Sequence, residues 1–241
     1  MIELYAHRGS PEKEAENTIV SFKRAIREKA EWIEFDVRKG KKKHLYVVHD
    51  DNLQRIAGHD LLLKKTNFTD VRNVRLGSKN ERVPLLEEVL LLAKDTDIML
   101  NIELKEKHLE REIVDMIEHY EISSQIIISS FFHLPLLVLA DYRPKLKTAL
   151  LIDEPPADLK ARLIETKVNY LHPNIDHLTD ETVKIARSLR KKINPFTVNS
   201  KKDLKKALQY NVHGIFTNRV PYMRKVLKEM TGEDKMLSPK N

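Results

Sequence analysis

Short apolar runs alternate with longer amphipathic segments along almost the whole chain. Eight β-branched, apolar runs predict strands at residues 2–6, 33–37, 98–104, 125–129, 148–152, 169–171, 195–198 and 214–217. Helical periodicity predicts helices over 18–29, 85–94, 109–120, 134–141, 157–166, 180–191, 200–211 and 222–230. Strands that alternate in this way with helices are typical of an α/β protein, and eight such pairs predict a closed (β/α)8 TIM barrel.

A further strand-like run at 44–48 does not fit this alternation. Only "RKGKKK" separates it from the second predicted strand, whereas parallel neighbours need a crossover of about a dozen residues. It is therefore predicted to fold back as a β-hairpin that turns at Lys42 and Lys43, with Asp36 and His49 roughly opposite each other at its base. Residues 51–82 contain no comparable run and are predicted to form a small insertion over the barrel mouth.

Composition limits the number of domains and the chemistry available to the protein, but it does not identify the partner. The 241 residues suit one barrel domain over 1–230, followed by a polar, flexible tail over 231–241. A net charge of +7 favours anionic partners, whether phosphate compounds, nucleic acid or acidic membrane surfaces. The absence of cysteine excludes disulfides, thiolate metal sites and cysteine nucleophiles. The N-terminus has no signal-peptide pattern and no apolar run approaches a membrane span, so a cytoplasmic location is expected.

Polar and charged side chains gather where the predicted strands end. These side chains are His7 and Arg8, Glu34 and Asp36, His49 and Asp50, and Glu103 and Lys105. Barrel enzymes carry their active sites at the carboxyl ends of the strands, so all of these residues are expected at one rim.

The carboxylates indicate a metal site. Glu34 and Asp36 are two residues apart and share one strand face, where two unpaired carboxylates would be costly to bury. With Glu103 they form an oxygen ligand set that suits one divalent cation, Ca²⁺ or Mg²⁺. The alternative is that these residues face solvent or form salt bridges with neighbouring cations.

The basic residues and histidines extend this interpretation. Arg8 and Lys105 would be ordinary surface cations in isolation, but beside a metal they suit an anionic phosphodiester. His7 and His49 could each be structural residues at a strand end or turn. Two histidines at the same rim as three carboxylates favour a catalytic pair.

Several motifs occur in an order that resembles the glycerophosphodiester phosphodiesterase family. From His7 to about Pro221 they are "AHRG", "AENT", "IEFDV", "VVHDDNLQR", "VPLLEEVL", "NIELK", "SSF", "FTVN" and "GIFTN". The resemblance implies a (β/α)8 barrel related to phosphatidylinositol-specific phospholipases, with an insertion after the second strand. It also implies a metal-dependent hydrolase.

The resemblance assigns a role to each matching position. It implies metal ligands at Glu34, Asp36 and Glu103, an acid–base pair at His7 and His49, and phosphate-binding cations at Arg8 and Lys105. Phe196 stands where the family usually has tryptophan, and with Phe131 it is expected either to wall the apolar side of the pocket or to pack in the core. Glu16 and Asn17 are candidates for the shell of residues around the metal ligands, and Glu16 is a candidate to reach the metal shell itself. Asn17 with Thr18 is also expected to shape the start of the first helix.

Three positions depart from the family pattern. Ala15 stands where a proline is usual, "KGKKKH" replaces the common Asp-Gly hairpin turn, and Asn218 stands where an aspartate is common. None of these changes removes a catalytic group, but Asn218 puts one supporting hydrogen bond or ion pair in question.

The predicted function is metal-dependent hydrolysis of a small glycerophosphodiester to glycerol 3-phosphate and an alcohol, with His7 as base and His49 as acid. One alternative is a lysophospholipase D-like enzyme, whose "DLLLKK" segment and basic surface would contact an anionic membrane. A second is a nucleic-acid-binding module, suggested by the positive charge. The lysines are spread over helices and only seven Phe and seven Tyr are available for stacking, so no nucleic-acid partner is expected.

Overall fold

The protein, represented by a computed structural model that describes residues 2–232, alternates strands and helices. The strands are β1 (Glu3–His7), β2 (Trp32–Lys39), β3 (Leu45–Val47), β4 (Met99–Leu104), β5 (Ile126–Ser130), β6 (Lys147–Ile152), β7 (Tyr170–Pro173), β8 (Lys192–Ile193) and β9 (Gly214–Thr217). The helices are α1 (Ile19–Arg27), α2 (Gln54–Ala57), α3 (Phe68–Asn73), α4 (Leu86–Lys94), α5 (Glu110–His119), α6 (His133–Tyr142), α7 (Leu159–Glu165), α8 (Asp180–Ser188), α9 (Lys201–Gln209) and α10 (Val220–Thr231).

Eight of these strands form a nearly closed parallel barrel in the order β8-β7-β6-β5-β4-β2-β1-β9. Backbone hydrogen bonds bridge the remaining gap between β8 and β9. The N–H of His213 donates to the carbonyl of Ile193 at 2.9 Å, Phe216 donates to Pro195 at 3.0 Å, and Val198 donates to Phe216 at 2.8 Å. The predicted (β/α)8 barrel is confirmed.

The barrel interior is apolar at its amino end and polar at its mouth. Its apolar cluster contains Tyr5, Trp32, Ile127, Ala149, Tyr170 and Phe216. Since side chains alternate along a strand, the next inward position after Tyr5, Trp32 and Ile127 lies two residues later. Those positions are His7, Glu34 and Ser129. The polar residues of the mouth therefore lie directly above the apolar cluster inside the barrel.

The bounds predicted for the seventh barrel strand are wrong. The expected strand at 195–198 begins three residues earlier, as β8, and the N–H groups of Lys192 and Asn194 bond to carbonyls of the preceding strand region. Pro195 has no N–H to donate, and beyond it the chain keeps an isolated bridge between Asn174 and Phe196 and the hydrogen bonds to Phe216 described above, without forming a regular strand. The β-branched and aromatic composition of "PFTV" therefore belongs to an irregular segment at the mouth.

The hairpin after β2 has the predicted antiparallel pairing, with a register one residue different from that expected. Val37 pairs with Val47, which places Val48 opposite Asp36 and His49 one position further along. The turn is centred on Lys42, which adopts a left-handed conformation with φ of 55°.

Residues 51–82 contain α2 and α3 and share a small apolar cluster with the flanking residues Tyr46, Val48 and Val83. Its buried members are Tyr46, Val48, Leu53, Leu63, Val71, Val74, Leu76 and Val83. Of the three leucines in "DLLLKK", Leu63 is buried, Leu61 packs against the cluster and Leu62 is exposed. Most of the apolar surface of "DLLLKK" therefore packs in the cluster that the insertion shares with its flanking residues.

No helix among residues 2–232 combines the length and apolar character needed to cross a bilayer. At the C-terminus, α10 ends at Thr231 and is followed by Gly232 in a left-handed conformation. The rest of the predicted tail, 233–241, lies outside the described residues.

His172, in β7, gives the fold an expected sensitivity to acid. It is fully buried among aromatic rings, and neither ring nitrogen has a hydrogen-bond partner among the described residues. Burial lowers the pKa of His172 to about 3, whereas the ordinary value is 6.5. As the pH falls through this window, the unfolded chain binds a proton that the folded chain does not, so stability decreases.

We expect this residue to lower the free energy of unfolding by about 2 kcal/mol between about pH 7 and about pH 5. Urea unfolding of the wild type and of His172→Leu at both pH values measures the effect. The decrease should be smaller in His172→Leu, while His59→Leu, which changes an exposed histidine, should match the wild type. An equal decrease in all three proteins would contradict the assignment.

Candidate active site

The turn after β1 brings His7 and Arg8 to the mouth. Arg8 and Gly9 both have positive φ, at 56° and 88°. A side chain at Gly9 would meet Oγ of Ser21 at 2.3 Å, so glycine is required both by the backbone conformation and by the closeness of α1. The N–H of Arg8 donates to the carbonyl of Glu34 at 2.9 Å, which ties this turn to β2.

Glu34, Asp36 and Glu103 form a buried carboxylate cluster on the neighbouring strands β2 and β4. Asp36 and Glu103 are paired in the strand register, and one carboxylate oxygen from each of the three residues lies within 4.8 Å of the others. Burial and the neighbouring carboxylates raise the pKa of Glu34 well above its usual value and that of Glu103 to about 7. Burial also acts to raise the pKa of Asp36, but Arg8 and Lys105 hold it below its usual value.

This donor set fits one divalent cation. Oδ1 of Asp36 is buried and has no hydrogen-bond partner among the described residues. Three carboxylates that share a water-poor position repel one another, and a cation coordinated by their oxygens removes that repulsion. Oxygen ligands without sulfur suit Ca²⁺ or Mg²⁺. Glu34, Asp36 and Glu103 are therefore the residues that would hold the ion.

Two cations lie beside the cluster. Nζ of Lys105 is 2.7 Å from Oε1 of Glu103 and 3.6 Å from Oδ1 of Asp36. Nε of Arg8 is 3.2 Å from Oδ2 of Asp36. Both side chains line the same pocket as Glu34 and Glu103, so they are available to a bound phosphate.

His7 is held by Asn218, which follows β9. Nδ1 of His7 lies 2.7 Å from Oδ1 of Asn218, and because the amide oxygen only accepts, Nδ1 carries the proton in this pair. Burial, and next the charge of Arg8, lower the pKa of His7 to about 4. The imidazole is then neutral at neutral pH, and its Nε2 is free to accept a proton. Asn218, which stands where the family commonly has an aspartate, therefore keeps a hydrogen bond to His7 but adds no negative charge beside it.

Asn218→Asp is expected to raise the pKa of His7, since a carboxylate favours the protonated imidazole. If His7 acts as a base, the acidic limb of the kcat/KM profile should move up by about one to three pH units. The pH profile of the predicted glycerophosphodiester hydrolysis measures this shift. Asn211→Asp, at an exposed position, is the control. An unchanged acidic limb in Asn218→Asp would contradict a role for His7 as base.

His49 follows β3 and is fixed on two sides. Nδ1 of His49 lies 2.6 Å from Oδ1 of Asp50, and Nε of Arg38 donates to the His49 carbonyl at 2.5 Å. Burial lowers the pKa of His49, partly offset by Asp36 and Asp50. His49 lines the pocket together with His7, so the two predicted histidines face one space.

Glu16 and Asn17 lie next to the carboxylate cluster and contact residues of the site. Glu16 accepts hydrogen bonds from Arg8 and Arg55 and is not part of the carboxylate cluster. Nδ2 of Asn17 donates to Oδ2 of Asp36 at 2.8 Å, whereas Thr18 alone caps α1 through its side chain. Asn17 therefore contacts a carboxylate of the cluster, while Thr18 caps the start of the first helix.

The pocket has a volume of about 210 Å³ and combines a polar floor with an apolar wall. Phe131 and Phe196 form that wall, with ring centroids 5.8 Å apart and edge-to-face geometry. Asn101, which sequence reasoning missed, also lines the pocket: its amide donates to Ser129, and its own oxygen has no partner among the described residues. Its place in "NIELK", two residues before Glu103 on the same strand face, is the signal that could have identified it.

This barrel, with buried carboxylates, two histidines and two cations around one pocket, has the fold and the site of a phosphoric diester hydrolase. Residues 7–221 match the model of the Glycerophosphoryl diester phosphodiesterase family. The chain belongs to that family.

Individual relatives agree with this membership. A glycerophosphodiester phosphodiesterase of Bacillus altitudinis is 34% identical over 248 residues, covering 95% of this chain and 100% of the relative. One of Caldanaerobacter subterraneus subsp. tengcongensis is 31% identical over 226 residues, covering 89% and 93%. A solved Oleispira antarctica phosphodiesterase, in complex with the product sn-glycerol-3-phosphate, has the same fold, with a TM-score of 0.87, 23% identity and coverage of 94% and 96%.

Proposed function

We propose that this protein hydrolyses glycerophosphodiesters to glycerol 3-phosphate and an alcohol, in a reaction that depends on one divalent cation and two histidines. The observation that carries the proposal is the buried cluster of Glu34, Asp36 and Glu103. Glu34 and Glu103 of this cluster line a single pocket with both histidines and both cations. The names of the full-length relatives and the glycerol-3-phosphate found in the Oleispira structure support the substrate class.

The phosphate and the glycerol part of the substrate would enter the polar half of the pocket. When bound, the cation would neutralise phosphate charge and orient the glycerol hydroxyls. Arg8 and Lys105 would hold the remaining phosphate oxygens and stabilise the charge that develops on them. The released alcohol would lie toward Phe131 and Phe196, where the wall is apolar.

The two histidines would divide proton transfer between them. His7, neutral because its pKa is lowered to about 4, is suited to remove a proton from the nucleophile, either water or the substrate's own 2-hydroxyl. His49 would then deliver a proton to the departing alkoxide. The hydrogen bond from Nδ1 of His49 to Asp50 leaves its Nε2 as the atom that exchanges this proton.

The direct test is release of glycerol 3-phosphate from glycerophosphocholine after treatment with EDTA. Activity should be lost on chelation and restored by Ca²⁺, by Mg²⁺ or by both, and the better ion identifies the cofactor. An EDTA-treated sample that is diluted without added metal is the control. Full activity after exhaustive chelation would overturn metal dependence, and no release under any metal from folded protein would overturn the substrate class.

A lipid-bearing substrate has less support. The exposed large apolar side chains of the insertion are Leu62 and Phe68, while Leu61 and Leu63 pack in its apolar cluster, so the insertion offers little free apolar surface for a membrane. We expect the soluble diester to be hydrolysed faster than lysophosphatidylcholine dispersed in detergent. A preference for the lysophospholipid would reverse this choice.

A further inference from the structure

Arg55, in α2 of the insertion, joins two acidic side chains from different parts of the barrel rim. Its Nε donates to Oδ2 of Asp50 at 2.5 Å, while Nη2 and Nη1 donate to Oε1 and Oε2 of Glu16 at 2.6 and 3.2 Å. Glu16 follows β1 and Asp50 follows β3, so one guanidinium connects three segments of the chain. We call Arg55, Glu16 and Asp50 the Arg55 clasp.

Each carboxylate of the Arg55 clasp also holds a residue of the active site. Oδ1 of Asp50 is 2.6 Å from Nδ1 of His49, and Oε1 of Glu16 accepts a hydrogen bond from Nη1 of Arg8 at 3.1 Å. The clasp therefore has two arms. The arm through Asp50 ends at the acid–base residue His49, and the arm through Glu16 ends at the phosphate-binding cation Arg8. Arg55 itself does not line the pocket.

The chemistry of the guanidinium suits this bridging position. It is planar, stays charged, and presents donors in several directions at once, so it can bond to both carboxylates in one fixed arrangement. A lysine ammonium on a flexible stem can hold only one arm well. The two carboxylates, in turn, present a preset geometry to His49 and Arg8.

We propose that Arg55 is a positioning residue for the diesterase reaction. Through Asp50 and Glu16 it holds both His49 and Arg8 in place, so the insertion contributes a residue on which the active site depends. This inference rests on the function proposed above. Misplacement of a catalytic group by about 1 Å can cost about 100-fold in rate, so removal of Arg55 should be felt at the chemical step although Arg55 touches no substrate.

The kinetic test compares Arg55→Ala and Arg55→Lys with Arg82→Ala, which changes an exposed arginine of the same insertion. Arg55→Ala should lower kcat/KM for glycerophosphocholine by about 10- to 100-fold. Arg55→Lys should recover part of that loss, guanidinium ion added to Arg55→Ala should restore part of it, and Arg82→Ala should match the wild type. Wild-type kcat and KM in Arg55→Ala would overturn the proposal.

The two arms can be separated by removing one charge at a time. Asp50→Asn alters the arm that ends at His49 and should lower mainly kcat, while Glu16→Gln alters the arm that ends at Arg8 and should raise mainly KM. A merely structural role for the clasp would instead lower the melting temperature of both variants without dividing kcat from KM. That result would overturn the proposal.

A measurement that does not depend on turnover tests the role of Arg55 separately from the proposed diesterase activity. In ¹⁵N NMR spectra, the His49 side chain, assigned by its absence in His49→Ala, should show one protonated Nδ1 in the wild type and a mixture of tautomers in Arg55→Ala. An unchanged His49 signal would overturn the proposal. If the wild type is inactive toward every glycerophosphodiester but the His49 spectrum still changes in Arg55→Ala, the proposed function is wrong. The positioning of His49 by Arg55 is then still supported.

Discussion

Glu34→Gln should stabilise the metal-free protein and at the same time abolish metal-dependent hydrolysis. Without a cation, Glu34 shares a buried position with two other carboxylates, which together with burial raise its pKa well above the usual value. Glutamine has nearly the same shape and carries no charge, so it relieves the repulsion. It is also a poorer ligand for a hard cation, so the metal would be held weakly.

The expected gain is about 1 kcal/mol, or about 2 to 4 °C in melting temperature for a chain of this size. The expected loss of kcat/KM with saturating metal is at least about 100-fold. Thermal unfolding in EDTA and glycerol 3-phosphate release with added metal measure the two effects on one preparation.

Glu110→Gln is a matched control for Glu34→Gln, because Glu110 is buried in the first turn of α5 but lies outside the carboxylate cluster. Its carboxylate accepts a hydrogen bond from the N–H of His108 and favours the helix N-terminus. The control should therefore be slightly less stable than the wild type and retain activity. A metal-free Glu34→Gln that is less stable than the wild type would contradict the expected repulsion.

The second large effect is expected from His49, and it depends on the leaving group. His49→Ala should lower kcat on glycerophosphocholine by about 100- to 10,000-fold, because the choline alkoxide needs a proton as it departs. The p-nitrophenyl ester of glycerol phosphate releases a phenolate that needs no proton, so the same variant should lose far less activity on that substrate.

His7→Ala separates the two proton-transfer roles. A base acts on the nucleophile, so its removal should lower kcat on both substrates to a similar extent. His59→Ala, at an exposed position of the insertion, is the control and should be fully active on both. If His7→Ala is the variant rescued by the p-nitrophenyl ester, the assignment of acid and base must be reversed.

Much of the fold could be predicted from the sequence because its signals are local. Apolar runs alternating with amphipathic segments predict strands and helices, and the short link before 44–48 allows only a hairpin. Polar residues at strand ends could be assigned to one rim, since all parallel strands of a barrel end on the same side. The error at β8 also has a local cause: "PFTV" has strand composition, but Pro195 cannot take part in the ladder as a donor.

The contacts that shape the site could not be predicted in this way, because they join residues far apart in the chain. His7 meets Asn218, Arg55 meets Glu16, and Asn17 meets Asp36 only after the barrel closes and the insertion packs on its rim. The sequence by itself determined the barrel, the carboxylates and the histidines, through periodicity and residue chemistry. Only the tertiary structure decided their hydrogen-bond partners, because directional side-chain contacts depend on how distant segments pack together.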